Sequence, residues 1–224
     1  MLKLLTFFLL LTSCSFAQLT REVWCGTGIQ RKLTKNLEAT LDINSRFYSF
    51  KEQLFYPELT FKYKVKKWFK PSIDYRGLVE LNKYGNYKYA NRLNFNLNFE
   101  KSFNNLSFGF RIRYQYVFNG IRSYENYSPE FDQTIRLKPS IKYDIKKSRF
   151  TPNASVEWFY NPNNGPTGDR FAKIRSSVGA DIALKGPHVL SINYLYGVSV
   201  NSAKTKSQHI LSIYYCFIWE KPKK

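Results

Sequence analysis

Among the 224 residues, only His188 and His209 could act as an imidazole base near neutral pH. A hydrolytic centre built on a His general base beside a nucleophile must use one of them. His188 follows Gly186-Pro187 in a short turn and has no nucleophile close in sequence. His209 follows Ser207-Gln208, and Asp132 or Asp169 on other loops could orient it, as a lipid hydrolase with its site at a loop-bearing rim would require. A lone Ser-x-His spacing is thin support, and an ordinary ladder or interfacial role for His209 accounts for it more simply. The three cysteines, Cys14, Cys25 and Cys216, lack metal-ligand spacing, and no glycine-rich phosphate loop is present, so no metal and no cofactor is expected. Cys25 and Cys216 lie on the first and last strand-like segments. If those segments meet and the chain is exported, a Cys25–Cys216 disulfide becomes possible, two free thiols being the simpler expectation.

The remaining chemistry lies in a series of charged and amide side chains spaced two apart: Arg111, Arg113 and Gln115, then Arg136 and Lys138, then Glu157, then Lys173 and Arg175. Side chains two apart share one face of a strand, so the spacing predicts that they project together from a sheet. The intervening positions are apolar. From Leu37 onward ten segments show this alternation, the clearest being Leu106, Phe108, Phe110, Ile112, Tyr114, Tyr116 and Phe118. The 56 apolar-face positions include no charged residue, whereas the opposite faces hold 12 basic and 9 acidic ones. Most segments run to about ten residues or more, near the roughly 9 to 11 that a tilted strand needs to cross a bilayer and longer than the roughly five or six of an ordinary strand. Backbone groups in lipid must all be paired, so such strands have to close into a barrel. The expected fold is all-β, a single antiparallel up-and-down transmembrane β-barrel.

Short connections at 66–70, 101–105, 146–149 and 185–187 alternate with longer ones at 82–91, 119–133, 161–170 and 201–208. That asymmetry is expected of short periplasmic turns and longer external loops. Pro139 and Pro152 fall on the apolar face of neighbouring strands, where a bulge is expected. Aromatics near strand ends, such as Trp68, Phe69, Phe99, Phe103, Trp158, Tyr160 and Trp219, suit interfacial girdles. Residues 22–33, with Trp24 and Cys25, look like an eleventh strand ahead of the ten. An even barrel forbids that count, so the segment either lies in or below the lumen or belongs to a barrel of twelve, giving ten or twelve strands.

The N-terminus reads as an export signal. Lys3, the apolar run Leu4 to Leu11 and the small-x-small site Ser15-Phe-Ala17 predict a signal peptide over residues 1–17 and a mature chain beginning at Gln18. Leu11-Thr-Ser-Cys14 also resembles a lipobox, which would make a lipidated Cys14 the first residue instead. Residues 18–36 then form an N-terminal segment, 37–219 the barrel and 220–224 a basic tail. The formal charge of +19 could suggest nucleic acid. Sorting the charges excludes that class, because most of the excess falls in the short turns and the tail, at Lys66, Lys67, Lys70, Lys146, Lys147, Arg149 and Lys221 to Lys224, where it would face anionic headgroups.

The inward positions, Arg111-x-Arg113-x-Gln115, Arg136-x-Lys138 with Tyr143, Pro152-x-x-x-x-Glu157-x-Phe159, Arg175, and His209-Ile-Leu211-Ser-Ile213-Tyr-Tyr215, resemble the exported barrel family of Bacteroidetes-type bacteria known as domain of unknown function 2490. The resemblance spans roughly residues 24–219 and implies an outer-membrane location and no settled activity. Phe217-x-Trp219 also resembles the aromatic-ended signal read by barrel-assembly machinery, although the basic tail departs from it. The expected partners are therefore outer-membrane lipids and that machinery, with no nucleic acid and an oligomeric state left open. Functionally, the inward Arg and Glu residues either form a structural salt-bridge network filling a non-enzymatic barrel, or line a narrow anion-preferring channel, or belong to a ligand-binding mouth or a partner assembly.

Overall fold

The computed structural model describes residues 18–48, 51–81, 85–119, 133–162, 171–200 and 206–219. Asp132, Asp169, Cys14, the proposed signal segment and the 220–224 tail lie outside these residues. Among the described residues there are eleven strands: β1 (Gln18–Lys32), β2 (Leu37–Tyr48), β3 (Lys51–Tyr63), β4 (Ser72–Leu81), β5 (Tyr87–Phe103), β6 (Leu106–Asn119), β7 (Gln133–Tyr143), β8 (Phe150–Tyr160), β9 (Phe171–Ala183), β10 (His188–Ser199) and β11 (Lys206–Trp219). Each pairs antiparallel with its sequence neighbour, and the sheet closes as β1 pairs with β11.

The closing pair is parallel, running from Gln18 opposite Lys206 to Arg31 opposite Trp219. The strand count is thus eleven, between the expected ten and twelve, and the barrel is mixed instead of wholly antiparallel. Even parity holds only if the first and last strands must run in opposite directions. Here they point the same way, so residues 22–33 are neither luminal nor half of a missing hairpin but most of the wall strand β1.

A parallel ladder is slightly less stable per residue than an antiparallel one, and side chains reinforce this one. Tyr214 of β11 lies across β1 and donates its hydroxyl to Asp42 Oδ1 of β2. It can do so because the inward positions of β1 beneath it are Gly26 and Gly28. A Cβ at Gly26 would come within 2.9 Å of the Tyr214 ring, and one at Gly28 would overlap both the Tyr214 hydroxyl and the Asp42 carboxylate. The Gly-Thr-Gly run in β1 is therefore a trough for a side-chain strap over the seam.

The polarity of the barrel is inside out. Leu41, Phe95 and Val178 on the outer face are 52%, 49% and 59% exposed, whereas Asp74 and Asn94 inside are 2% and 0% exposed. Outer-face assignments follow the sequence alternation, and the two expected proline bulges are not seen. The β7·β8 ladder lacks pairing at Lys138-Pro139, opposite Val156-Glu157, and resumes in the same register, while Pro152 keeps its partner Ala180. Proline has no N–H to donate, so the ladder is interrupted without an inserted residue. Register shifts fall instead between Arg46 and Phe47 and between Phe159 and Tyr160, close to the long-loop end.

Candidate functional site: a charged lumen closed at one end

Strand register decides which inward side chains can meet. Arg111 stands opposite Lys138 and Arg113 opposite Arg136, so the β6·β7 pair sets like charges face to face. Such pairs repel, and the three arginines turn toward other partners. Arg113, 8% exposed, turns to the β4 side, where its Nη2 donates to Asp74 Oδ2 at 2.8 Å and its Nε to Asn96 Oδ1 at 2.5 Å. Asn96 Nδ2 in turn donates to both Asp74 oxygens at 3.0 Å, so that carboxylate is fully engaged. Arg136 donates to Gln115 Oε1 and lies over the Phe159 ring, 4.5 Å from its centroid.

Arg111 reaches past β7 to Glu157 on β8, its Nη2 at 2.8 Å from Oε1. Arg175, directly opposite Glu157 in the ladder, places Nη1 3.7 Å from Oε2. Glu157 is 6% exposed, so one buried carboxylate serves two guanidinium groups. Lys173 donates to Gln208 Oε1. Lys138 lines the same space, yet among the described residues its ammonium has no hydrogen bond or ion pair.

All eight residues expected in the lumen network thus face inward. What the sequence reading missed is how many further groups take part and how cationic charge is dispersed. Arg76 and Glu58 form a two-point pair, Nε to Oε2 at 2.7 Å and Nη2 to Oε1 at 3.1 Å. Three inward aromatics act as cation platforms: Phe159 beneath Arg136 and Arg175, Trp24 beneath Arg46 and Arg175, and Tyr56 beneath Arg46 and Arg76, at 4.0 to 5.4 Å from ring centroids. Such contacts gain up to about 2 kcal/mol when desolvated. Their position on the polar face of an alternating strand was the available signal, since an aromatic there is not part of the apolar outer face.

The lumen divides into two halves. Toward the long-loop end Tyr56, Leu78, Ala90 and Val117 pack into an apolar layer, with Asn94, Gln115 and Thr134 buried beneath it. Toward the short-turn end the wall is rich in serine and asparagine, and a cavity of about 560 Å³ remains, with Arg111 and Lys138 at its floor.

The chemistry-bearing residues outside the lumen do not assemble. His209 points outward, its Nδ1 hydrogen-bonded with the Tyr194 hydroxyl and its ring edge-on to Tyr196 at 5.0 Å between centroids. His188 bonds the Tyr215 hydroxyl at 2.5 Å on the same outer face but at the opposite, short-turn end of the β10·β11 hairpin. Cys25 and Cys216 are both free, which corrects the possible disulfide. The two strands do become neighbours, but Gly28 is the residue opposite Cys216, and Cys25, three residues earlier, lies on the exposed face while Cys216 is buried. No group of three or more His, Cys, Asp or Glu side chains suited to a metal occurs among the described residues.

A closed β-barrel with an apolar exterior and a charged, partly plugged interior is the class these features define. The chain belongs to the family described as protein of unknown function (DUF2490), whose family model matches residues 21–208. Comparison with curated proteins and with solved structures returned no match.

Proposed function

We propose that the chain is a non-enzymatic outer-membrane β-barrel whose lumen is closed by its own side chains. The observation that carries this reading is the apolar outer surface. Large hydrophobic side chains stand exposed around the whole sheet, an arrangement that is adverse in water and favourable against acyl chains. Aromatics concentrate at both rims. Tyr63, Trp68, Phe103, Tyr143, Phe150 and Trp219 lie at the short-turn end, and Tyr87, Tyr89 and Phe171 at the other. Trp68, Phe69 and Phe99 form one stacked group, with centroids 5.1 to 6.2 Å apart. The lysine-rich short turns would then lie against inner-leaflet headgroups, where each basic residue gains about 1 kcal/mol from an anionic surface.

The test is refolding into liposomes and planar bilayers. The proposal expects heat-modifiable gel mobility, protection of the strands from protease by lipid, and no stepwise ion conductance. The surplus of cations on the inward face favours a second reading, a narrow anion-preferring channel. Steady single-channel steps with anion selectivity would replace the plugged barrel with that channel, whereas a soluble monomer that ignores lipid would remove both. The same liposomes, supplied with purified barrel-assembly machinery, test whether Phe217-x-Trp219 is read by it.

A further inference from the structure

The half-open lumen carries more than a structural network requires. Lys138 is a half-buried cation at the floor of the 560 Å³ cavity. Its cross-strand neighbours are Arg111 on β6, a like charge, and Glu157 on β8. The nearest carboxylate, Glu157, is already engaged by Arg111 and Arg175. Lys138 makes no direct ion pair with that carboxylate and, among the described residues, keeps its ammonium donors free, and a partly buried cation so placed gains from an added anion.

Beside Trp24, Ala154 and Leu195, the walls above this floor carry a set of neutral hydrogen-bonding groups. Ser140, Asn153, Ser155, Ser177, Asn193 and Ser212 come from five different strands and line one cavity. Among the described residues none of these six side chains has a hydrogen bond to another protein group. The acidic groups at the mouth do not oppose an anion. Asp181 is held by Lys142 at 2.7 Å, and Glu100 by Lys70 at 2.8 Å. Beside the mouth a second cavity at the same end is lined by Lys32, Lys35, Lys64 and Lys67 together with the ion-paired Lys62 and Lys70, a net positive field that draws anions toward the opening.

We infer that this vestibule is a binding site for a small polyhydroxylated anion, a sugar phosphate or sugar acid, with the anionic group on Lys138 and Arg111 and the hydroxyls on the Ser and Asn wall. The volume suits one or two sugar rings. The site depends on the barrel interior alone, so it stands or falls independently of the membrane proposal.

Titration calorimetry on the folded barrel in a nonionic detergent at low salt tests it, with glucose 6-phosphate as probe and glucose and inorganic phosphate as comparators. The expected result is saturable binding of glucose 6-phosphate, at least tenfold weaker binding of inorganic phosphate, and none of glucose. Lys138→Met should weaken the sugar phosphate at least tenfold, while Lys146→Met, in a turn outside the cavity, leaves it unchanged. Lys138→Met relieves a like-charge contact and should fold at least as well as the parent, which gel mobility checks. Unchanged binding in Lys138→Met, equal loss in both variants, or no binding of either anion overturns the site. Inorganic phosphate binding as tightly as glucose 6-phosphate overturns the polyhydroxylated class.

Discussion

Replacing Glu157 by Gln removes one negative charge while leaving shape and volume almost unchanged, so the response isolates electrostatics. In the parent, Glu157 lies 2.8 Å from Arg111 and 3.7 Å from Arg175. The amide leaves both guanidinium groups without a counter-ion, in a region also holding Arg136 and Lys138. Breaking a buried pair by removing one partner typically costs about 3 to 5 kcal/mol. The Arg111 side chain is 26% exposed to the vestibule, against 12% for Arg175. Water can therefore recover part of the loss at Arg111 and little at Arg175, which sets the expectation at about 3 kcal/mol, the lower end of that range. Reversible urea unfolding in liposomes should show this as a lowered midpoint with unchanged slope. The double variant Arg111→Met/Glu157→Gln should be destabilised by less than the sum of its two single changes, because the charges compensate each other. Planar-bilayer recordings should stay silent for the single variant, since the apolar layer of Tyr56, Leu78, Ala90 and Val117 is untouched. A loss below about 1 kcal/mol, the scale of a solvent-exposed pair, accompanied by new anion-selective conductance, would refute the dry network and establish an aqueous path.

Three other outcomes are expected. Phe110→Arg, on the outer face, should cost roughly 2 to 4 kcal/mol if that position lies near the bilayer midplane, while Ser155→Arg, into the vestibule, should cost far less; equal damage in liposome unfolding contradicts the face assignment. Gln115→Arg would be a poor control, since Gln115 is 2% exposed and already bonded to Arg136. Tyr214→Phe removes the strap to Asp42 and should lower stability by about 1.5 to 3 kcal/mol, the value of a hydrogen bond to a charged group, and Gly28→Val should be worse because its side chain collides with the strap; a Tyr214→Phe variant as stable as the parent sinks the seam argument. Alkylation of the denatured, unreduced protein followed by mass spectrometry should recover both Cys25 and Cys216 as thiols, and a bridged peptide would contradict the register of β1 against β11.

The faces of the barrel were legible in the sequence because each rests on a rule of period two that no tertiary detail can override: slipping one residue would turn Phe108, Phe110 and Ile112 into the lumen and Arg111 and Arg113 outward. Strand ends were less so. Pro57 and Glu58 interrupt the alternation in β3, and the tyrosines of β5 before Asn91 resemble loop composition, so the pattern shows neither strand at its full length. Pairing inside the lumen required the register. Arg111 finds Glu157 two strands away only because its direct neighbour, Lys138, carries the same sign. Closure was the least legible feature, for a physical reason. Parity is a property of two strands distant in sequence, and the clue to it was not an alternating apolar run but an absence of side chains at Gly26 and Gly28. Those glycines weaken β1 taken alone and have value only once Tyr214, 186 positions beyond Gly28 in the chain, needs a path to Asp42. A chain with larger residues at both positions would keep every face assignment and still lack the strap. The alternation therefore specifies a sheet of this polarity, and the seam residues specify that its eleventh strand closes on its first.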